Sequence, residues 1–216
     1  MKKILFQGDS ITEAGRSVKN DFNGGYGFAT FVTGILGADY PGKYTFLNRG
    51  VGGNRIADIL ARNRDDVIKQ KPDYLSLLAG VNDVWYYIDK PGGFDGGKFT
   101  KTYSVLLEEI GTELPKTKIM LLEPFVVKGS NTSSSENTDK YLNFRKGAEQ
   151  CAECVMRLSE KYSCKFIPLA HIIDAAVSSA PSECFTLDGI HPTSAGHYLI
   201  AKEWLKAFKE LEINVY

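Results

Sequence analysis

Five short apolar runs, each closed by a polar or glycine-containing break and followed by a helical pattern, constrain this chain more than any other feature. They are Ile4–Gly8, Tyr44–Asn48, Tyr74–Leu78, Lys118–Leu122 and Lys165–Leu169. Apolar runs of this length, bounded by turn residues, read as buried strands of a parallel sheet. Between them lie apolar residues at helical spacing. These are Tyr26 to Leu36, the stripe Ile56, Ile59, Leu60 and Val67, the stripe Tyr103, Leu106, Leu107 and Ile110, the long Tyr141 to Tyr162, and the closing Ala195 to Leu211. Strand alternating with helix predicts an α/β architecture, a parallel sheet covered by helices on both faces with right-handed crossovers. No composition break or internal repeat divides the chain, so one domain over residues 1–216 is expected.

Composition narrows the class. Of 216 residues 43% are hydrophobic, enough for a substantial core, and 24% are charged. Lys and Arg total 26, as do Asp and Glu, so the chain has no basic footprint for nucleic acid or an anionic membrane. No apolar stretch is long enough to span a bilayer, and the four weakly apolar residues before Gly8 are too few for a signal-peptide core, so a cytoplasmic protein is expected. Four cysteines stand at 151, 154, 164 and 184. Cys151-Ala-Glu-Cys154 has redox or zinc spacing, but it lies inside a helical pattern and has no second pair, so reduced thiols and no metal are expected.

In an open α/β sheet the carboxyl ends of the strands carry the ligand site. The first strand runs directly into Gly8-Asp9-Ser10, which delivers a serine hydroxyl to that edge; Asp9 and Ser10 read equally well as helix caps. Near the other end stands Asp188-Gly-Ile-His191-Pro192. A carboxylate three residues before an imidazole, on a turn pinned by proline, can fix the ring's tautomer and make it a base for a serine. His171 has Asp174 three residues after it, and His197 lies within the last helix; both rank below His191. Two further strand ends offer donors for a developing oxyanion. After the second strand comes Asn48-Arg-Gly-Val-Gly52-Gly53, where either Gly52 or Gly53 could present a bare N–H; after the third comes Gly80-Val-Asn82-Asp83, with the Asn82 amide.

Two long connections, Val84 to Thr100 and Val127 to Asp139, read as loops bordering the same crevice. Gly92 to Lys98 spells most of a phosphate-binding loop, but Phe99 stands where the magnesium-binding Ser or Thr belongs. Asn131-Thr132-Ser133 matches a glycosylation acceptor pattern.

The blocks G-D-S-I-T at Gly8, N-x-G-x-G-G at Asn48, G-V-N-D at Gly80 and D-G-I-H-P at Asp188 together resemble the GDSL/SGNH hydrolases, in that order and across nearly the whole chain. The first block departs only in carrying Ile11 where the family name has leucine. The resemblance implies a flavodoxin-like fold with five parallel strands, no cofactor, Ser10 as nucleophile, His191 as base and Asp188 as its orienting acid. It implies an oxyanion hole of the Ser10 N–H, Gly53 rather than Gly52, and Asn82. It also implies small acyl esters as substrates, with deacetylation of a sugar or oligosaccharide preferred. A lysophospholipase or thioesterase for longer acyl chains is the runner-up, and a non-catalytic nucleotide-binding module is the reading from another class. Asp9, Trp85, Tyr86 and Phe125 are the candidate substrate contacts.

Overall fold

The computed structural model describes residues 1–21 and 23–213. Five strands, β1 (Lys2–Gly8), β2 (Tyr44–Asn48), β3 (Tyr74–Leu78), β4 (Lys118–Leu122) and β5 (Lys165–Ile167), form one parallel sheet in the order β2-β1-β3-β4-β5. Every residue of β3 is buried, as a central strand covered on both faces requires. The order reverses at β1, so the carboxyl end of β1 lies at the switch point where such sheets place their ligands.

The helices are α1 (Ser10–Glu13), α2 (Phe28–Asp39), α3 (Ile56–Asn63), which runs on as a π turn (Arg64–Ile68), α4 (Val81–Tyr87), α5 (Gly96–Glu113), α6 (Lys140–Lys161), α7 (Ala170–Ser179) and α8 (Ser194–Ile213). One layer pairs α2 with α8; α3, α5 and α6 pack in succession as the other. Phe6 and Ser76 are register partners and share a sheet face. On that face Phe6 meets Phe28 of α2 edge-on at 5.8 Å and Trp204 of α8 at 5.5 Å. The buried Trp204 indole donates to Ser76 Oγ at 2.9 Å, so its one polar atom is satisfied where the ring is deepest. Among the described residues no helix is long and apolar enough to cross a membrane.

Two connections differ from expectation. The stretch Val84 to Thr100 is mostly helical: α4 occupies its start and α5 begins at Gly96, leaving eight residues of loop. Asp95 caps α5 through a hydrogen bond from the Lys98 N–H. That carboxylate occupies the place a phosphate would need, so Gly92 to Lys98 is a helix start and not a nucleotide loop. The last strand stops at Ile167, before Pro168, which has no N–H for the ladder, and the chain turns into α7. Glu123 at the end of β4 accepts the N–H groups of Leu169 and Ala170 at 2.7 and 2.8 Å and anchors that helix start.

The N-terminus of α2 is tied to α8 by a histidine. Gly27 offers no side-chain cap, and Nδ1 of the buried His197 accepts the Phe28 N–H at 3.2 Å. Burial first, and the nearby His191 second, push His197 down to about 4. In the unfolded chain this histidine takes up a proton near pH 6.5, in the folded chain only near 4, so its contribution to stability is present above 6.5 and lost as pH falls toward 4. The stability advantage of wild type over His197→Gln, measured by chemical denaturation, is therefore expected to shrink by about 3 kcal/mol from neutral pH to pH 4. A pH-independent difference would show that the ring is not held neutral.

Candidate active site

The site is assembled at the carboxyl ends of β1, β2 and β3 and closed by the loop before α8. β1 turns into α1 at Gly8, where a Cβ would lie 2.3 Å from Thr12 Oγ1 and 2.4 Å from the Leu78 carbonyl; no other residue fits. Asp9 caps α1 by accepting the Ile11 N–H at 3.0 Å. Ser10 follows as the first helical residue, and its N–H has no acceptor among the described residues.

Ser10 Oγ lies 2.9 Å from Nε2 of His191, and His191 Nδ1 lies 2.6 Å from Oδ2 of Asp188. Oδ1 of the same carboxylate accepts the N–H groups of Ile190 and His191, both at 2.9 Å. Partial burial alone would raise the Asp188 carboxyl; the His191 N–H, the His191 ring and the Ile190 N–H outweigh it and hold the group below the ordinary carboxylate range. It therefore stays ionised where an imidazole works as a base. The turn is pinned by a bridge between Thr186 and Pro192 and by a bond from the Leu187 N–H to the His191 carbonyl at 2.8 Å.

The loop after β2 treats its two glycines differently. The Gly52 N–H donates to Glu13 Oε2 at 2.7 Å and is occupied. Gly53 has φ +75°, open space around it and an N–H with no acceptor among the described residues. The loop lies against α1, since a Cβ on Gly52 would be 3.7 Å from Ser10 Cβ. The Arg62 guanidinium gathers the loop, donating to Asn54 Oδ1 at 2.7 Å, the Arg49 carbonyl at 2.9 Å and Gln7 Oε1 at 2.8 Å. Asn82, at the start of α4, donates one amide hydrogen to the Asn54 carbonyl at 3.1 Å, and the other has no acceptor among the described residues. Next to it the buried Asp83 carboxylate accepts the Ile56 N–H at 3.1 Å and so ties α3 to α4; burial pushes Asp83 up to about 7. Glu13, Arg62 and Asp83 were not singled out as site residues from the sequence, because each reaches a partner far off in the chain: Glu13 meets Gly52, 39 positions away, Arg62 meets Gln7, 55 away, and Asp83 meets Ile56, 27 away.

Two of the four candidate substrate contacts are corrected. Asp9 is fully buried and caps α1, with burial raising its carboxyl to about 7. Phe125 is 2% exposed and belongs to the core. Neither can meet a substrate. Trp85 and Tyr86 stand on the exposed side of α4, 37% and 50% accessible. Trp85 packs edge-on against Phe144, and the Arg55 guanidinium lies 4.6 Å over the Tyr86 ring. His171 has no partner in Asp174, whose two carboxylate oxygens take Arg145 at 2.7 and 2.8 Å. All four cysteines are free thiols; burial raises Cys151 far above its usual range.

A hydroxyl, an imidazole and an ionised carboxylate in line, beside unfilled N–H donors at the switch point of a parallel sheet, define a serine-dependent hydrolase on a flavodoxin-like scaffold. Residues 6–199 match the GDSL-like lipase/acylhydrolase family, and the chain belongs to it. An acetylxylan esterase from Geobacillus stearothermophilus is 30% identical over 212 residues, covering 95% of this chain and 93% of its own. The crystal structure of that esterase superposes with a TM-score of 0.81 at 29% identity and the same coverage. Its structures include catalytic mutants in which a serine, an aspartate or a histidine is replaced by alanine, each matching at 0.82. LAE5, an alpha/beta hydrolase enzyme from the metagenome of Lake Arreo, Spain, matches at TM-score 0.81 and 27% identity, covering 95% of this chain and 94% of its own.

Proposed function

We propose that this carboxylic ester hydrolase removes acetyl groups from a carbohydrate through an acyl-enzyme on Ser10. The observation that carries the reading is the line from Ser10 Oγ through His191 to Asp188, at 2.9 and 2.6 Å. The acetylxylan esterase, related over almost the full length of both chains, supports the acetyl and carbohydrate parts.

Ser10 attacks the ester carbonyl while His191 Nε2 takes its proton. The charge left on the carbonyl oxygen is met by the N–H groups of Ser10 and Gly53 and by the second amide hydrogen of Asn82. His191 returns the proton to the departing sugar hydroxyl. Water then attacks the acetyl-serine by the same path and releases acetate. Asp188 stays ionised throughout and stabilises the imidazolium. The exposed Trp85 ring supplies an apolar surface on which a sugar can stack, whereas the Tyr86 ring is already overlain by the Arg55 guanidinium and the Lys90 ammonium.

An acyl-length series of p-nitrophenyl esters, run beside acetylated xylooligosaccharides, tests the reading. Acetate release from the oligosaccharides is expected, with kcat/KM highest for acetyl and falling with each added carbon pair. A fluorophosphonate should label Ser10 in the same preparation. Rates that climb from acetyl to octanoyl would replace this reading with that of an esterase for longer acyl chains, and an unlabelled Ser10 would remove the catalytic assignment altogether.

A further inference from the structure

Asp188 carries more hydrogen bonds than holding an imidazole requires. Besides the two backbone N–H groups on Oδ1 and the His191 ring on Oδ2, its Oδ2 accepts the side-chain amide of Asn131 at 2.7 Å. Asn131 lies 57 positions earlier in the chain, in the segment between β4 and α6. This segment is locked onto the Asp188 turn at several points. The Asn131 N–H donates to the Asp188 carbonyl at 3.0 Å and the Val127 N–H to the Gly189 carbonyl at 2.9 Å. Thr132 Oγ1 donates to the Val127 carbonyl at 2.6 Å and accepts the Gly129 N–H at 2.9 Å. The two strands of chain are in such close contact that a Cβ on Gly129 would fall 2.3 Å from the Asp188 carbonyl carbon. On Gly189 a Cβ would fall 2.5 Å from Thr132 Oγ1. The amide is thus aimed by a rigid backbone and not by a free side chain.

We infer that Asn131 is a positioning residue for ester hydrolysis: its amide holds Asp188 Oδ2 in the orientation His191 needs. The two backbone donors fix Oδ1 alone, and a carboxylate held at one oxygen can still turn about its Cβ–Cγ bond. A second donor on Oδ2 removes that freedom. It also draws charge from the oxygen facing the ring, which moderates how strongly the imidazolium is stabilised. An amide suits this place because it donates at every pH and never ionises. Asn131 acts only through Asp188. The inference rests on the proposed roles of Asp188 and His191.

The test compares wild type, Asn131→Ala and Asn131→Asp on p-nitrophenyl acetate across pH. The titratable groups that couple to His191 are Asp188, Asp9 and His197, and none of them is altered. In Asn131→Ala, kcat is expected to fall about 10- to 100-fold, the size of one hydrogen bond to a charged group, while KM stays within about twofold. The acid limb of kcat/KM should move to higher pH, because a carboxylate with one donor fewer holds the imidazolium more tightly. Asn131→Asp keeps the shape and sets a second carboxylate against Asp188, so its acid limb should move further in the same direction. An Asn131→Ala enzyme with unchanged kcat and an unmoved limb overturns the inference, as does a loss confined to KM. If the alanine variant does not fold, Asn131→Leu, close in size and without a donor, decides alone, and wild-type kinetics in it overturn the inference. Wild-type turnover of the same ester is measured first: its absence would count against the proposed function, whereas an unaltered variant counts only against the role of Asn131.

Discussion

Ser10→Ala is expected to reduce hydrolysis of p-nitrophenyl acetate and of acetylated xylooligosaccharides by about 10⁶-fold, the loss seen when one member of a triad that acts as a unit is removed. The hydroxyl is hydrogen-bonded to His191 Nε2 at 2.9 Å, and among the described residues no second serine or cysteine makes that contact. Without Oγ the base has no proton to take and no acyl group can be carried. The fold should survive, because the cap of α1 is the carboxylate of Asp9 and not the hydroxyl of Ser10. A melting temperature close to wild type, with a rate near that left by the oxyanion donors alone, is the expected pair of results. Activity retained in a well-folded Ser10→Ala protein would exclude the acyl-enzyme.

Asp188→Asn should cost about 10⁴ in kcat, through the tautomer of His191. As a carboxylate, Asp188 only accepts, so Nδ1 of the ring must carry its proton and Nε2 is left free to receive that of Ser10. The two backbone N–H groups on Oδ1 would hold the new amide with its oxygen toward them and its NH₂ toward the ring. Nδ1 then becomes an acceptor, Nε2 carries the proton, and the serine faces a donor. The same NH₂ would also meet the amide of Asn131, which now donates to Oδ2 at 2.7 Å. Steady-state kinetics on p-nitrophenyl acetate, with KM unchanged, test this. A loss below tenfold would mean that the ring orients without Asp188.

The strands were readable because burial on both faces writes itself as an unbroken apolar run. β2, β3 and β4 begin and end at the residues expected. β1 gains Lys2 and Lys3 at its open end, and β5 loses its last two positions to a proline and to the helix that follows. The long α6 was readable to within one residue at each end, since a helix of six turns repeats its apolar stripe often enough to be seen. α4 and α7 were not. α4 carries Val81, Val84 and then a cluster of aromatics over seven residues, too short for the helical period to stand out. α7 has a single fully buried residue, Ile173, and starts because Glu123 from another strand caps it.

For the proposed site, the residue types and their order along the chain were enough to mark Ser10, Asn82, Asp188 and His191 as candidates, because each sits where a strand end or a proline-pinned turn must expose it. Only the tertiary structure decided what surrounds them. It took the carboxylate of Glu13, 39 positions from Gly52, to occupy one glycine N–H and leave the next open. It took the packing of the core to withdraw Asp9 and Phe125 from the crevice, and the locked segment after β4 to bring Asn131 onto Asp188. Periodicity and motif spacing report on neighbours in the chain; hydrogen bonds and burial belong to neighbours in space, and these exist only once the sheet has brought distant segments together.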